Sequence, residues 1–347
     1  MPETKIAIIG TGLIGASIGL SLTSREGRNY TVVGHDYNQA HSREAKKRGA
    51  IDKDEGALAK AVDGAGLVII AVPVAAAKQI LEDLSPVAQA GTIVTDTCST
   101  KTDVMHWAEE FLPEGVHFVG GHPMAGSEQS GPGAARADLF QGATWAITPS
   151  PRAHEDAVSV VLGFIESQGA VPLYIDAAEH DQYAAAVSHL PLLISIGLFR
   201  MVRDSQAWED MALLAGPGFR DLTRLASGDT TMARDILATN REAVLHWLTR
   251  FREELDTVAT ALRLGGEVLD DMLGNTQMDR DAFILNPPTR RIPEGPEAPS
   301  ARDAMGHMFF GGMYDRLKEV TNRGVPGLGN DSDLRRKLGA PPGDRSG

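Results

Sequence analysis

"KIAIIGTGLIGASIGLSL", residues 5–22, decides the fold. It opens with an apolar run of strand type over 5–9 and then sets Gly10, Gly12 and Gly15 at G-x-G-x-x-G spacing. Apolar residues continue at helical spacing through Ile14, Ile18 and Leu22. Strand, glycine turn and helix start stand in the order that binding a dinucleotide requires. Gly10 permits the tight turn, Gly12 lets the backbone approach a pyrophosphate, and Gly15 lets the helix pack on the strand. The phosphates then meet free N–H groups of the first helical turn, where Leu13 and Ile14 lie.

Three glycines alone are weak support, so the next strand matters. "YTVVGHD" ends in Asp36, 26 residues after Gly10. A carboxylate there accepts hydrogen bonds from a ribose 2′-OH and repels a 2′-phosphate. Tyr37 and Asn38 follow, with no arginine to receive that phosphate, so the expected cofactor is NAD. Strand-like runs recur at 67–73, 92–97, 116–121, 144–149 and 171–176, with helical spacing between them. The expected fold class is α/β, with an N-terminal Rossmann-type, doubly wound, mostly parallel sheet followed by an all-α domain for substrate and dimerisation.

From Ala177 the strand signals stop. Residues 177–202 read as a long apolar helix broken by Pro191, and 232–264 as one amphipathic helix. Helices this apolar suggest packing against a second copy, hence a homodimer. Residues 286–300 hold five prolines and cannot be regular structure. A short helical piece follows at 301–320, and then a poorly ordered end. The expected domains are 1–176, 177–276 and a Pro/Gly-rich extension over 277–347.

The 347 residues carry a formal net charge of −13, which disfavours nucleic acid or an anionic membrane surface as a partner. A single cysteine, Cys98, allows no internal disulfide. With no leader pattern and no run of 18 apolar residues, a cytoplasmic protein that crosses no membrane is expected. Scattered histidines and a lone cysteine build no metal site.

Open α/β sheets bind ligands beyond the C-terminal ends of their strands. Two segments occupy such ends. "TDTCSTK" offers Ser99 and Lys101, and "GGHPMAGSEQSG", residues 120–131, offers His122 in a stretch too glycine-rich for a helix or strand. His122 suits a base that takes a proton from a substrate hydroxyl as hydride leaves the adjoining carbon, with Ser99 orienting it or binding the same hydroxyl. The alternative is a loop histidine satisfying backbone carbonyls. His189 beside Pro191 is either ligand-facing or a core residue next to a kink. Arg220 and Arg224, four residues apart, share a face if helical and would clamp a dianion; otherwise they line a solvated face or pair with Asp221 or Asp229.

In order and spacing, "GTGLIGAS", "TDTCSTK", "GGHPMAGSEQSG", "VSHLP" and "GFRDLTRLA" resemble the prephenate/arogenate dehydrogenases of tyrosine biosynthesis, over roughly residues 5–265. The resemblance implies oxidative decarboxylation of a cyclohexadienol, with hydride passing to NAD. It implies that His122 pairs with the ring hydroxyl and Ser99 supports it. It places Glu128, with Ser127, at the substrate entrance, Arg224 on a substrate carboxylate and Arg220 at a commonly basic position. His189 matches the first histidine of an S-H-L-P-H pattern whose second histidine is Leu192 here. In prephenate-specific members that histidine holds the substrate side chain, whereas arogenate-preferring ones often carry an apolar residue. Prephenate is the expected substrate and arogenate the alternative. The tail shows almost no strand pattern, so no ACT domain is expected.

Two rivals remain. A β-hydroxyacid dehydrogenase would use a lysine from the second domain, yet no lysine occurs between Lys101 and Lys318. An NAD-binding regulator without catalysis would have no use for His122 and Ser99.

Overall fold

A computed structural model describes residues 4–127 and 129–288. The N-terminal part runs β1 (Thr4–Ile9), α1 (Leu13–Thr23), β2 (Tyr30–His35), α2 (Gln39–Lys47), β3 (Lys53–Asp54), α3 (Leu58–Val62) and β4 (Ala65–Ile70). It continues through α4 (Val74–Leu84), β5 (Ile93–Asp96), α5 (Thr102–Phe111), β6 (His117–Pro123), β7 (Thr144–Pro149), α6 (Glu155–Ser167) and β8 (Val171–Tyr174). The strands form one sheet in the order β3-β2-β1-β4-β5-β6-β7-β8. This is the doubly wound, mostly parallel sheet that the alternation of strands and helices predicts.

Helices cover both faces, so the central strands are apolar at every position instead of alternating. Ile6 and Ile8 face one core with Trp145, Phe140 and Phe164, while Ala7 and Ile9 face another with Leu81, Leu84 and Val104. Between β6 and β7 the described residues form only loops and a short 3₁₀ turn, Pro132–Ala134, and β7 returns antiparallel to β6.

This pairing extends the strand-like run at 116–121 and corrects the reading of residues 122–123 as loop. Gly120, Gly121, His122 and Pro123 belong to β6 and face Thr148, Ile147, Ala146 and Trp145. The glycines serve the sheet. A Cβ on Gly121 would lie 2.6 Å from the Asp96 carbonyl oxygen and 2.9 Å from Trp145 Nε1.

The helical part comprises α7 (Ala177–Ala184), α8 (Leu190–Arg203), α9 (Trp208–Leu213), α10 (Pro217–Thr223), α11 (Thr230–Thr239), α12 (Arg241–Leu264) and α13 (Gly266–Leu285). Pro191 does not break the first long helix. A π-helical turn, Ala185–His189, absorbs the missing donor and the chain runs on into α8. Nor is 232–264 one helix: it divides at Asn240, whose φ of −123° and ψ of 31° separate α11 from α12. Helix α13 carries on past position 276 to Leu285. The 301–320 helical piece and most of the extension lie outside the described residues.

Ala177–Arg203 is, by length and composition, long and apolar enough to cross a membrane. It also carries buried His180, Asp181 and His189, the first two of which dock on the N-terminal domain. The helical part leaves Val187, Met201, Leu213, Leu214, Leu262, Leu273 and Leu285 exposed. Its own core is small, centred on Ala185, Ala243 and Val244.

Gly121→Ala should therefore cost about 1–3 kcal/mol of stability through overpacking. Gly12→Ala, whose Cβ would meet nothing within 4 Å, should stay within about 0.5 kcal/mol. Denaturant midpoints of the two variants check both.

Candidate active site

The glycine turn has the shape a pyrophosphate needs. Gly10 has a φ of 91°, and a Cβ there would strike the Ala71 carbonyl oxygen at 2.3 Å. One on Gly15 would lie 1.9 Å from the Gly10 oxygen, so α1 sits directly on the turn. Gly12, the N-cap of α1, faces open space, and Leu13 and Ile14 open the helix behind it. No side chain caps that helix end, which leaves its N–H groups to a ligand. Asp36, just past the end of β2, holds the turn in place. Its Oδ2 accepts from the Thr11 amide (2.7 Å) and hydroxyl (3.1 Å), and its Oδ1 from the Asn38 amide (2.8 Å).

The strand ends of β5 and β6 are tied by a buried ion pair. Asp96 bonds the Lys101 ammonium through Oδ2, which also accepts from the Cys98 amide at 2.8 Å. Its Oδ1 accepts from the Gly121 amide at 3.0 Å. Lys101 Nζ also donates to the Gly121 carbonyl at 2.7 Å. Lys101 is thus consumed inside the protein, with no exposed surface. Losing either partner would strand a buried charge, at a cost of about 3–5 kcal/mol. The arrangement fixes the residue before His122.

His122 is 7 % exposed and its Nδ1 lies 2.8 Å from His180 Nε2. His180 Nδ1 lies 2.8 Å from Asp181 Oδ1. Burial alone would raise the Asp181 carboxyl, but hydrogen bonds from His180, Thr102 and Lys101 outweigh it and hold the group below its usual value. Asp181 is therefore a carboxylate, and acceptor only. His180 Nδ1 must donate to it, which leaves Nε2 of the neutral ring as an acceptor. His122 Nδ1 then carries its proton toward His180, and the lone pair of His122 falls on Nε2. Among the described residues that Nε2 has no hydrogen-bonding partner. Burial first, and then His180, Lys101 and His189, push His122 well below the ordinary histidine value, so the ring is a neutral base.

Asp181 also joins the two domains. Its oxygens accept from the backbone amides of Lys101 (2.7 Å) and Thr102 (2.8 Å), the first N–H groups of α5, whose N-cap residue offers no side-chain cap. Asp235 does the same at α4, accepting from Ala75 at 3.2 Å, and Thr100 and Thr239 share a hydrogen bond of 2.9 Å. Helices α4 and α5 of the Rossmann domain thus each receive a carboxylate of the helical domain at their N-terminus.

The remaining expected residues are distributed unevenly. Ser99 is half-buried in the loop between β5 and α5, and Ser127 is exposed with its Oγ accepting from the Gln129 amide. Glu128 lies outside the described residues. Arg220 is exposed on α10, but that helix ends at Thr223, and Arg224 begins a 3₁₀ turn, Arg224–Ser227. Continuous α-helical spacing of the two arginines is not maintained. His189 closes the π turn, 1 % exposed, and Leu192 is half-buried three residues on.

Sequence reading missed His180, Asp181 and Asn240. A signal existed for the first two. They lie in the short polar run 179–182, near the start of the otherwise apolar stretch 177–202.

Burial lowers the His189 pKa from 6.5 to about 4, with Asp181 opposing the shift and His180 adding to it. The unfolded chain takes up that proton near 6.5 and the folded chain only near 4. The stability is complete above the higher value and is lost as the pH falls toward the lower. His122 acts in the same sense. Thermal midpoints measured from neutral pH downward should fall through this window, and His189→Gln should flatten the decline.

Comparison with known proteins agrees with this geometry. The family model of the prephenate dehydrogenase nucleotide-binding domain matches residues 18–174, and that of its dimerization domain matches 176–277. Prephenate dehydrogenase of Bacillus subtilis is 33% identical over 263 residues, covering 74% of this chain and 70% of that protein. A solved prephenate dehydrogenase from A. aeolicus, in complex with hydroxyphenyl propionate and NAD+, superposes with a TM-score of 0.76 at 29% identity, covering 82% of this chain and 99% of that one. Synechocystis arogenate dehydrogenase gives a TM-score of 0.69 at 28% identity, covering 81% and 100%. A nucleotide-binding domain followed by a helical dimerization domain is thus what this chain shares with a known group of oxidoreductases, and it belongs to the prephenate dehydrogenase family.

Proposed function

We propose that the protein catalyses the NAD-dependent oxidative decarboxylation of prephenate to 4-hydroxyphenylpyruvate in tyrosine biosynthesis, as a homodimer. The observation that carries this reading is the neutral His122, held by His180 and Asp181 with its Nε2 lone pair uncommitted, at a strand end of the nucleotide-binding sheet.

The glycine turn at Gly10, Gly12 and Gly15 and the α1 amides of Leu13 and Ile14 hold the pyrophosphate, and Asp36 receives a ribose hydroxyl. NAD, when bound, accepts the hydride from the ring carbon that bears the hydroxyl. His122 Nε2 takes the hydroxyl proton, contributing about 10²–10⁴-fold to the rate. As the carboxylate leaves as CO₂, its bond electrons complete the aromatic ring and the oxygen becomes a phenolate. His122 returns the proton there, so the overall reaction releases none. Asp181 stabilises the positive charge that builds on the two imidazoles between those steps. Ser99 supports the hydroxyl, Arg224 and Arg220 bind substrate carboxylates, and Glu128 and Ser127 order the entrance. The exposed apolar faces of the helical part cover one another in the dimer.

Arogenate is the second reading, favoured by Leu192. It stands half-buried one turn beyond His189 and offers no hydrogen bond to a keto side chain.

Initial rates of reduced-nicotinamide formation, with prephenate and arogenate each paired with NAD+ and NADP+, test this. Turnover of prephenate with NAD+ is expected. Turnover of arogenate alone would select the second reading, and binding of NAD+ with no turnover of either would overturn both. His122→Asn should lower turnover about 10²–10⁴-fold and leave NAD+ affinity nearly unchanged.

A further inference from the structure

His189 is an unfinished hydrogen-bonding group. Its Nε2 is buried and has no partner among the described residues. Its Nδ1 lies 3.1 Å from Asn240 Nδ2. The same Nδ2 lies 2.7 Å from the Asp181 carbonyl oxygen. A carbonyl oxygen can only accept, so the Asn240 atom facing it is the amide nitrogen, and its second proton points to His189. His189 Nδ1 is therefore an acceptor, and the proton of the neutral ring resides on Nε2. An N–H buried without an acceptor costs about 1–3 kcal/mol. The fold retains this one beside His122, whose ionisation His189 influences.

We infer that Asn240 is a positioning residue that locks His189 as an Nε2–H donor for an oxygen of the bound substrate, its ring hydroxyl or a carboxylate. This rests on the reading of the site given above and adds a division of labour between two buried imidazoles. His122 presents a lone pair and accepts a proton, whereas His189 presents an N–H and gives none up. The titratable groups acting on His189 are Asp181 and His180 on α7, with His122 on β6. None of them contacts its Nε2 among the described residues. The same residue stands at the break between α11 and α12. Asn240 ends one helix and starts the next, and its side chain turns inward to two acceptors.

The test has two arms. In ¹⁵N-labelled full-length protein with NAD+, ring-nitrogen shifts assigned with His189→Gln should show His189 bare at Nδ1 and protonated at Nε2. In kinetics, Asn240→Leu should lose about 10- to 100-fold in kcat/KM, the value of one buried hydrogen bond to substrate. A loss confined to KM identifies a carboxylate as the acceptor, and a loss in kcat identifies the reacting hydroxyl. Asn240→Asp reverses the lock. Its carboxylate takes the Nδ1 proton, so only the imidazolium can donate through Nε2, and kcat/KM should recover as the pH is lowered. A wild type protonated at Nδ1, or an Asn240→Asp profile parallel to that of the wild type, would overturn the inference. If Asn240→Asp does not fold, the wild-type nitrogen shifts decide. No turnover by the wild type would overturn the proposed function and the substrate role of His189 together. The wrong tautomer in an active enzyme would overturn this inference alone.

Discussion

One carboxylate, that of Asp181, ties the structure together. It accepts from two backbone amides of the Rossmann domain and from one imidazole of its own helix. Hydrogen bonds to a charged group contribute about 1.5–3 kcal/mol each, so three of them outweigh the cost of burying the charge. The same atoms that seat the helical domain on α5 also dictate which nitrogen of His180 is protonated. That in turn dictates the tautomer of His122. Domain docking and the orientation of the base are therefore one constraint.

The electrostatics follow from burial. His122 and His189 are both buried, and a charge on either is penalised first by desolvation and also by His180. Lys101 adds to that penalty at His122, although its own charge is balanced by Asp96. The result is a base that remains unprotonated below the usual histidine range. When it does take a proton, Asp181 lies one imidazole away to balance it. Burial thus supplies neutrality before the reaction, and the carboxylate supplies stabilisation during it.

Much of this was legible from local spacing. Gly10, Gly12 and Gly15, with Asp36 at the next strand end, define the nucleotide site because each acts within a few residues of its neighbours. His122 was legible through its place after a strand. Its surroundings were not. His180 meets it across 58 residues, and Asp181 meets Lys101 across 80; nothing in a period of two or 3.6 residues encodes such contacts. The strand-like run stops at 121 and His122 and Pro123 read as loop because glycine disfavours strands in isolation, whereas at Gly121 the approach of Asp96 and Trp145 excludes anything larger. Pro191 read as a helix break because its lost hydrogen bond is local, while the π turn that absorbs it depends on packing. Asn240 carries no local signal beyond its modest helix propensity.

The central claim is that His122 is a neutral base whose state is set through His180, and the pH dependence of kcat/KM for wild type and His180→Leu tests it most directly. The account predicts a wild-type acid limb below the ordinary histidine value. In His180→Leu the limb should move upward, since His180 is one of the groups that lowers His122, and the plateau should fall. His180→Gln, able to bond both neighbours, should restore part of the rate. Identical limbs and plateaus in wild type and His180→Leu would contradict the account.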